Sequence, residues 1–229
     1  MRLDRLLVER GLAESREKAR ALIMEGLVEV DQFRVDKPGH LTSPISRITL
    51  KKDSLPYVSR GGLKLEAALH AFPVDVAGRV VLDVGASTGG FTDCLLQGGA
   101  LKVYAVDVGY GQFAWSLRND SRVVLFERTN IRSLSVEMIP EAIELAVMDV
   151  SFISLKKVIP CVIPVLGREG EMICLVKPQF EAGKGKVGKG GVVRDEEQIQ
   201  GILEDMRTFV EDQHLSFCGI RESVLKGPK

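Results

Sequence analysis

Apolar residues follow a helical spacing at the start of the chain and a strand-like alternation soon after it. They recur at helical spacing from Leu3 to Gly11, and a second amphipathic helix follows Ser15, its predicted N-cap, and ends at Gly26. Short alternating segments then predict strands between residues 28 and 50. Residues 1–52 are therefore expected to form a small α+β domain.

Residues 53–62 have the composition of turns and linkers, and the pattern changes beyond them. Apolar, β-branched runs alternate there with helical segments, which predicts a doubly wound parallel sheet of the α/β class over residues 63–229. The predicted strands cover residues 79–84, 103–106, 123–126, 145–148 and 172–176, and the last predicted helix covers 195–213.

Composition excludes several classes of protein. Of the 229 residues, 45% are hydrophobic and 27% are charged, which is typical of globular domains and not of disordered chains. No apolar run is long enough to span a membrane, and charges at Arg2 and Asp4 leave no room for a signal peptide. We therefore expect a soluble, cytoplasmic protein without a membrane partner.

The four cysteines match no zinc-binding pattern, so no metal is expected. The oligomeric state is left open.

The net charge is zero, which at first argues against a nucleic-acid partner, but the charges are unevenly distributed. Residues 1–60 hold 12 basic and 9 acidic side chains, and residues 177–194 hold five basic groups and one acid. Such clusters are compatible with phosphate contacts or with an ordinary solvated surface. The candidate RNA-binding residues are Arg2, Arg5, Arg16, Lys18, Arg20, Arg60, Lys184, Lys186 and Lys189.

A strand, a glycine turn and a helix start follow one another at residues 79–91. The turn does not satisfy the dinucleotide fingerprint, because position 87 is Ser rather than Gly. Asp83 would repel a diphosphate but could bind an ammonium group, which favours S-adenosylmethionine over a nicotinamide cofactor. Asp107 ends the next strand, where a carboxylate can accept both hydroxyls of a ribose.

Glu127 and Asn130, after the third strand, could border an adenine, although the same residues are also common in turns. A purely structural turn, capped by Asp83, is the alternative for the whole segment. The candidate cofactor-binding residues are Asp83, Gly85, Ala86, Ser87, Gly89, Gly90, Phe91, Asp107 and Asn130.

Three charged residues are expected at the same edge of the sheet. Asp149 and Lys177 end the fourth and fifth predicted strands, and Lys64 interrupts an apolar helix. A partly desolvated lysine beside a second cation is a suitable base for a weakly acidic hydroxyl, and an aspartate can hold it in place. An ion pair that only closes the sheet is the alternative explanation.

Four motifs, at residues 59–65, 83–91, 149–154 and 176–181, resemble the TlyA family of bacterial ribosomal-RNA 2′-O-ribose methyltransferases, also called hemolysin-A-like proteins. The resemblance covers the whole chain. It implies a Rossmann-like, FtsJ-like fold that depends on S-adenosylmethionine, and an N-terminal RNA-binding module of the type named after the fourth small-subunit ribosomal protein. The implied substrate is cytidine in ribosomal RNA, as naked RNA or within ribosomal subunits.

The family carries a Lys-Asp-Lys-Glu tetrad, and Lys64, Asp149 and Lys177 match its first three members. The glutamate would lie on a final strand beyond residues 226–229, where this sequence stops, and Glu222 does not match it. A non-catalytic RNA-binding or ribosome-assembly protein with a vestigial cofactor fold is the main alternative. The name hemolysin suggests pore formation, which is disfavoured because the sequence has no membrane span and no strongly amphipathic cationic helix.

Overall fold

The computed structural model describes residues 1–24, 26–50, 56–183, 188 and 192–225. The backbone divides into two compact units, residues 1–60 and 61–229. The division falls inside the segment 53–62 that the sequence marks as a linker, and each unit has its own hydrophobic core.

The first unit packs two helices on a small antiparallel sheet. Helices α1 (Leu3–Glu9) and α2 (Arg16–Met24) precede strands β1 (Val28–Val30), β2 (Phe33–Arg34) and β3 (Ile48–Leu50), in the sheet order β2-β1-β3. Both predicted helices are confirmed, and the three strands lie within the range 28–50 that the sequence predicted for them. The core contains apolar residues from every one of these elements except β2, among them Leu3, Leu7, Ala19, Ile23, Val28, Val30 and Ile48.

The helix ends follow the signals in the sequence. The hydroxyl of Ser15 accepts a hydrogen bond from the Lys18 amide at 3.1 Å, so Ser15 caps the first turn of α2. Gly11 and Gly26 adopt positive φ angles of 66° and 70° where the chain leaves the two helices.

Asp4 is a fully buried carboxylate that binds two arginines. Its side chain is 0% exposed, and it accepts two hydrogen bonds from Arg2 at 3.0 Å and one from Arg16 at 3.1 Å. The hydrogen-bonded Arg2 guanidinium lowers the pKa of Asp4 to about 2, against the effect of burial. The carboxylate therefore stays charged at neutral pH and fixes the two arginines.

The second unit is built on five parallel strands. Helix α3 (Gly61–Ala71) leads into a sheet with the order β6-β5-β4-β7-β8, and every pair of neighbouring strands runs parallel. The strands are β4 (Val80–Val84), β5 (Lys102–Val106), β6 (Val123–Phe126), β7 (Ile143–Met148) and β8 (Leu166–Cys174). This confirms the predicted parallel α/β sheet.

The helices of this unit alternate with the strands. They are α4 (Gly90–Gln97), α5 (Trp115–Arg118), α6 (Ile159–Val162), α7 (Pro178–Glu181) and α8 (Glu196–Asp212). Strands β4, β5 and β7 are buried along nearly their whole length, and α8 contributes Met206 to the same core. Asp195 caps α8 by accepting hydrogen bonds from the amides of Glu197 and Gln198, in agreement with the predicted start of that helix.

The strand order reverses between β4 and β7, which are neighbours in the sheet but not in sequence. In open α/β sheets such a reversal opens a crevice beyond the carboxyl ends of the two strands. The glycine turn follows β4, and Asp149 directly follows β7. The prediction that Lys177 ends a strand is wrong, because β8 stops at Cys174 and Lys177 lies three residues beyond it.

We predict that Asp4→Asn destabilises the first unit. The variant replaces hydrogen bonds between charged groups by weaker neutral ones, and each bond of the charged kind contributes about 1.5–3 kcal/mol. Local stability should fall by about 2 kcal/mol, measured as faster hydrogen exchange of peptides from residues 1–24 in the full chain. Peptides from β4 and β7 serve as the internal control, and unchanged exchange in residues 1–24 would contradict the prediction.

Candidate active site

The glycine turn needs residues without a side chain, because it lies against the backbone that follows β7. Gly85 has a φ of +86°, and a Cβ atom built on it would lie 2.8 Å from the carbonyl oxygen of Asp149. Any larger residue would push the turn away from this edge of the sheet. The geometry thus brings the turn and the Asp149 segment into direct contact.

Asp107 ties the glycine turn to the loop after β5. Its carboxylate accepts a hydrogen bond from the Ser87 amide at 2.8 Å and another from the Gly109 amide at 2.6 Å. The side chain of Gln112 also donates to it at 3.2 Å. Asp107 therefore lies against the glycine turn, where Ser87 is held at a positive φ of 51°.

Asp83 faces the interior of the unit. Its side chain is 0% exposed, and one oxygen accepts a hydrogen bond from the hydroxyl of Thr92 at 2.7 Å. The other oxygen has no hydrogen-bond partner among the residues that the structure describes. Burial raises the pKa of this carboxyl group to about 7, with smaller contributions from the negative charges of Asp149 and Asp107.

The other predicted cofactor residues surround the same turn. Ala86 and Phe91 are buried, and the left-handed backbone of Gly89, with φ at +95°, directly precedes α4. Asn130 accepts a hydrogen bond from the Arg132 amide at 3.0 Å and so caps a short 3-10 helix. Glu127 accepts from the amide of Gly111 at 2.7 Å. Whether these groups contact a cofactor stays a prediction.

The three charged residues that the sequence placed at this edge are in contact, because the carboxylate of Asp149 binds both lysines. Asp149 Oδ2 lies 2.9 Å from Lys64 Nζ, and Asp149 Oδ1 lies 2.6 Å from Lys177 Nζ. The side chains of Asp149, Lys177 and Lys64 are 17%, 19% and 25% exposed. The cluster is therefore largely shielded from water but open on one side.

Charge balance keeps Asp149 ionised. Burial alone would raise the pKa of its carboxyl group, but the nearby ammonium groups of Lys64 and Lys177 outweigh burial and hold that pKa below its usual value. Lys177 also makes a 2.9 Å hydrogen bond to the hydroxyl of Ser151. The lysine is thus held by two oxygens from the segment after β7.

The RNA-binding candidates of the first unit differ in their surroundings. Arg5, Lys18 and Arg20 are exposed, and Arg2 and Arg16 reach the surface with about half of their side chains while binding Asp4. The guanidinium of Arg60 donates to the carbonyl of Met24 at 3.3 Å. Lys184, Lys186, Lys189 and residues 226–229 lie outside the described residues.

Three polar residues that contact predicted site residues, and Glu181, which accepts hydrogen bonds from Ser154 and Leu155, were not predicted from the sequence. Thr92 and Gln112 bind Asp83 and Asp107, which a sequence pattern alone does not indicate. Ser151 and Glu181 lie inside the motifs at 149–154 and 176–181, and that position is the signal that could have identified them.

Within the part of the chain that the structure describes, no helix is both long and apolar enough to cross a membrane. The same residues contain no group of three or more His, Cys, Asp or Glu side chains placed to hold a metal ion.

Two family models match the chain: that of the FtsJ-like methyltransferases matches residues 57–229, and that of the S4 domain matches residues 1–44. The chain is 52% identical over 227 residues to the protein YqxC of Bacillus subtilis, covering 99% of this chain and 81% of the relative. It is 49% identical over 229 residues to the 16S/23S rRNA (cytidine-2′-O)-methyltransferase TlyA of Mycobacterium tuberculosis, covering 99% and 85%.

A third relative, Hemolysin A of Brachyspira hyodysenteriae, is 42% identical over 235 residues and is covered to 95%. Among solved structures, a hemolysin-named protein of Streptococcus thermophilus superposes with a TM-score of 0.77 at 43% identity. That match covers 99% of this chain and 83% of the other. Both units are therefore shared with these relatives.

We predict that the charge of Asp83 makes the second unit less stable as the pH rises. The folded carboxyl group has a pKa of about 7 and the unfolded one a pKa near 4, so folding favours the protonated form. Stability from this group is complete below about pH 4 and is lost progressively as the pH rises toward 7 and beyond. The loss should be on the order of 3 kcal/mol between pH 4 and 8.

Asp83→Asn removes the charge and leaves an oxygen that can accept the Thr92 hydrogen bond. Calorimetric unfolding of the full chain should therefore show the variant more stable than wild type at pH 8 and nearly equal to it at pH 4. An equal difference at both pH values would contradict the prediction.

Proposed function

Because this chain belongs to the FtsJ-like methyltransferase family and carries an S4 domain at its N-terminus, we propose that it methylates ribose 2′-hydroxyls of ribosomal RNA. The methyl donor in this proposal is S-adenosylmethionine, and the target nucleoside is cytidine. The name of the Mycobacterium tuberculosis relative, at 49% identity, states this reaction for that protein.

The Lys64–Asp149–Lys177 cluster is the observation that carries the proposal. It lies at the carboxyl edge of a parallel sheet, directly against the glycine turn at Gly85. Methyl transfer to a ribose hydroxyl needs that hydroxyl to be oriented and to lose its proton. A lysine held beside a second lysine and a carboxylate can orient the hydroxyl and, as a neutral amine, accept its proton, whereas an ion pair that only closes the sheet has no need of a second lysine.

The residues around the turn suit a cofactor that has a cationic tail and no phosphate. The segment 85–90 contains no lysine or arginine, and two carboxylates, Asp83 and Asp107, lie on either side of it in sequence. One buried oxygen of Asp83 has no hydrogen-bond partner among the described residues. S-adenosylmethionine supplies an activated methyl group when bound, and the turn, Asp107 and Asn130 would hold it.

Each member of the cluster has a separate role in the proposed reaction. Lys177 would act as the base: as a neutral amine it would accept the proton of the 2′-hydroxyl while the methyl group passes from the sulfonium sulfur of the donor to the ribose oxygen, leaving S-adenosylhomocysteine. Asp149 holds Lys177 with Oδ1 and Lys64 with Oδ2, so each lysine has its own carboxylate oxygen. Lys64 positions the nucleotide and balances the charge.

The S4 unit would supply the contacts to the RNA backbone. Arg5, Lys18 and Arg20 are exposed on the two helices, and Asp4 holds the half-exposed Arg2 and Arg16. Phosphate contacts of this kind fix the position of an RNA without reading its sequence. The lysines at 184, 186 and 189 are proposed to contact RNA phosphates as well.

We predict that Lys177→Ala lowers methyl transfer at least 100-fold, because the variant has no amine to accept the hydroxyl proton. Transfer is measured with tritiated S-adenosylmethionine on isolated ribosomal subunits and on naked ribosomal RNA, followed by mapping of the methylated ribose. Cofactor affinity, measured by calorimetry, should change less than about threefold, since Lys177 is not placed in the cofactor site. The exposed Lys157, changed to alanine, is the matched control.

Wild-type-like turnover by Lys177→Ala would overturn the role assigned to Lys177. A wild-type protein that binds the cofactor and RNA but labels no ribose would instead support the non-catalytic RNA-binding alternative.

We predict that Asp107→Asn weakens cofactor binding about 10–100-fold, because hydrogen bonds to a charged acceptor contribute about 1.5–3 kcal/mol. The measurement is calorimetric titration of the full chain with S-adenosylmethionine. Asp120→Asn removes a carboxylate that is paired with Arg122 elsewhere on the unit and serves as the control. An unchanged affinity in Asp107→Asn would remove Asp107 from the cofactor site.

A further inference from the structure

The segments that carry Asp149 and Lys177 are joined a second time, away from the lysine–aspartate contact. Glu181 Oε2 accepts a hydrogen bond from the hydroxyl of Ser154 at 2.5 Å, and Glu181 Oε1 accepts one from the Leu155 amide at 2.9 Å. Glu181 ends helix α7, and Ser154 and Leu155 lie at the end of the segment that follows β7.

Both joined segments are short. Each has one end at the Lys64–Asp149–Lys177 cluster and the other end at Glu181 or at the residues that Glu181 binds. Asp149 begins the first segment and Leu155 ends it, and Lys177 directly precedes the four-residue helix that Glu181 ends. Between these two ends, the rings of Phe152 and Phe180 pack with their centroids 5.2 Å apart. A shift of the segments at one end is therefore transmitted to the other.

Local structure leaves the Ser154 hydroxyl proton available for Glu181. Ser154 caps a short 3-10 helix, and its oxygen accepts a hydrogen bond from the Lys156 amide at 3.2 Å. The same oxygen can still donate its proton, and the carboxylate of Glu181 receives it. On the other segment, Pro178 occupies the first turn of α7, where its fixed φ suits the start of a helix.

We propose that Glu181 is a positioning residue, which sets the distance between Asp149 and Lys177 by fixing the segment after β7 against the segment after β8. This inference rests on the proposed methyl transfer, in which Lys177 is the base. The two hydrogen bonds described above go to Ser154 and Leu155, so Glu181 acts through the backbone that carries the cluster.

Loss of Glu181 should lower kcat and leave binding nearly unchanged. A misplacement of about 1 Å in a reacting group can cost on the order of 100-fold in rate. We therefore expect Glu181→Ala to reduce kcat about 10–100-fold, with the KM for RNA and the Kd for S-adenosylmethionine within about threefold of wild type.

Glu181→Gln is the conservative variant that should retain most of the activity. Its side-chain oxygen can accept from the Leu155 amide, and its NH₂ group can donate to the Ser154 oxygen. We expect kcat within about threefold of wild type for this variant. Glu169→Ala, which removes an exposed carboxylate of β8, is the matched control and should behave like wild type.

A double-mutant cycle tests whether Ser154 and Glu181 act as one unit. Ser154→Ala should lower kcat less than Glu181→Ala does, because the Leu155 contact remains. The Glu181→Ala/Ser154→Ala double variant should be slower than Glu181→Ala alone by less than the factor that Ser154→Ala costs in wild type, because the contact with Glu181 is already lost and only the capping bond from the Lys156 amide remains to be removed. Effects that simply multiply would show that the two residues act independently and would overturn the proposal.

Titration of the Asp149 carboxyl group by carbon-13 NMR tests the positioning without any methyl transfer. If Lys177 moves away in Glu181→Ala, Asp149 loses part of one neighbouring positive charge, and its pKa should rise relative to wild type. Glu181→Gln and Glu169→Ala should leave that pKa unchanged. A purely structural role of Glu181 would not move it.

The two measurements separate the failure of this inference from failure of the proposed function. A wild-type protein without methyl transfer would refute the proposed function, while the NMR titration would still show whether Glu181 positions Lys177. A fall in kcat with an unchanged Asp149 titration would overturn the positioning role. If Glu181→Ala fails to fold, kcat and the Asp149 titration are measured on Ser154→Ala and compared with wild type instead.

Discussion

The site of the second unit depends on one carboxylate that is largely removed from water and is neutralised by two lysines. Burying a carboxylate alone is costly, so Asp149 is stable as an ion only because Lys64 and Lys177 lie against its two oxygens. Lys64 is 85 residues away in sequence. The cluster therefore depends on tertiary packing that brings helix α3 against the segments after β7 and β8.

The parallel sheet decides where this cluster lies. Strands β4 and β7 are neighbours at the point where the strand order reverses, so the turn after β4 and the segment after β7 meet at one edge. Gly85 permits the backbone of the turn to reach the carbonyl of Asp149. A cofactor bound at the turn and a nucleotide bound at the cluster would thus be adjacent, as transfer of a small group requires.

Much of this arrangement follows from local signals, and the remainder depends on contacts between distant segments. The capping hydroxyl of Ser15, the strand–helix alternation and the polar residues at strand ends are readable along the chain, and they predicted the helices, the sheet and the Lys64–Asp149–Lys177 cluster. Glu181 was not predicted to contact the segment after β7, because its partners lie 26 and 27 residues away on a different loop. The end of β8 was misplaced because Leu175 and Val176 continue the apolar run after the strand has stopped at Cys174.

Both units stabilise a shielded carboxylate by the same means, namely contact with two basic side chains. Asp4 in the first unit and Asp149 in the second are each a shielded carboxylate between two cationic side chains. Each carboxylate holds its two basic side chains in a fixed geometry. A cation that is already ordered loses less side-chain entropy when it meets an anionic or hydroxyl-rich ligand such as RNA. The net charge of the chain is zero because acidic residues such as these are counted against the basic ones. Asp4 and Asp149 are among the acids that cancel the positive charge in the total. In the proposed function, the same two carboxylates hold basic side chains where RNA would be bound.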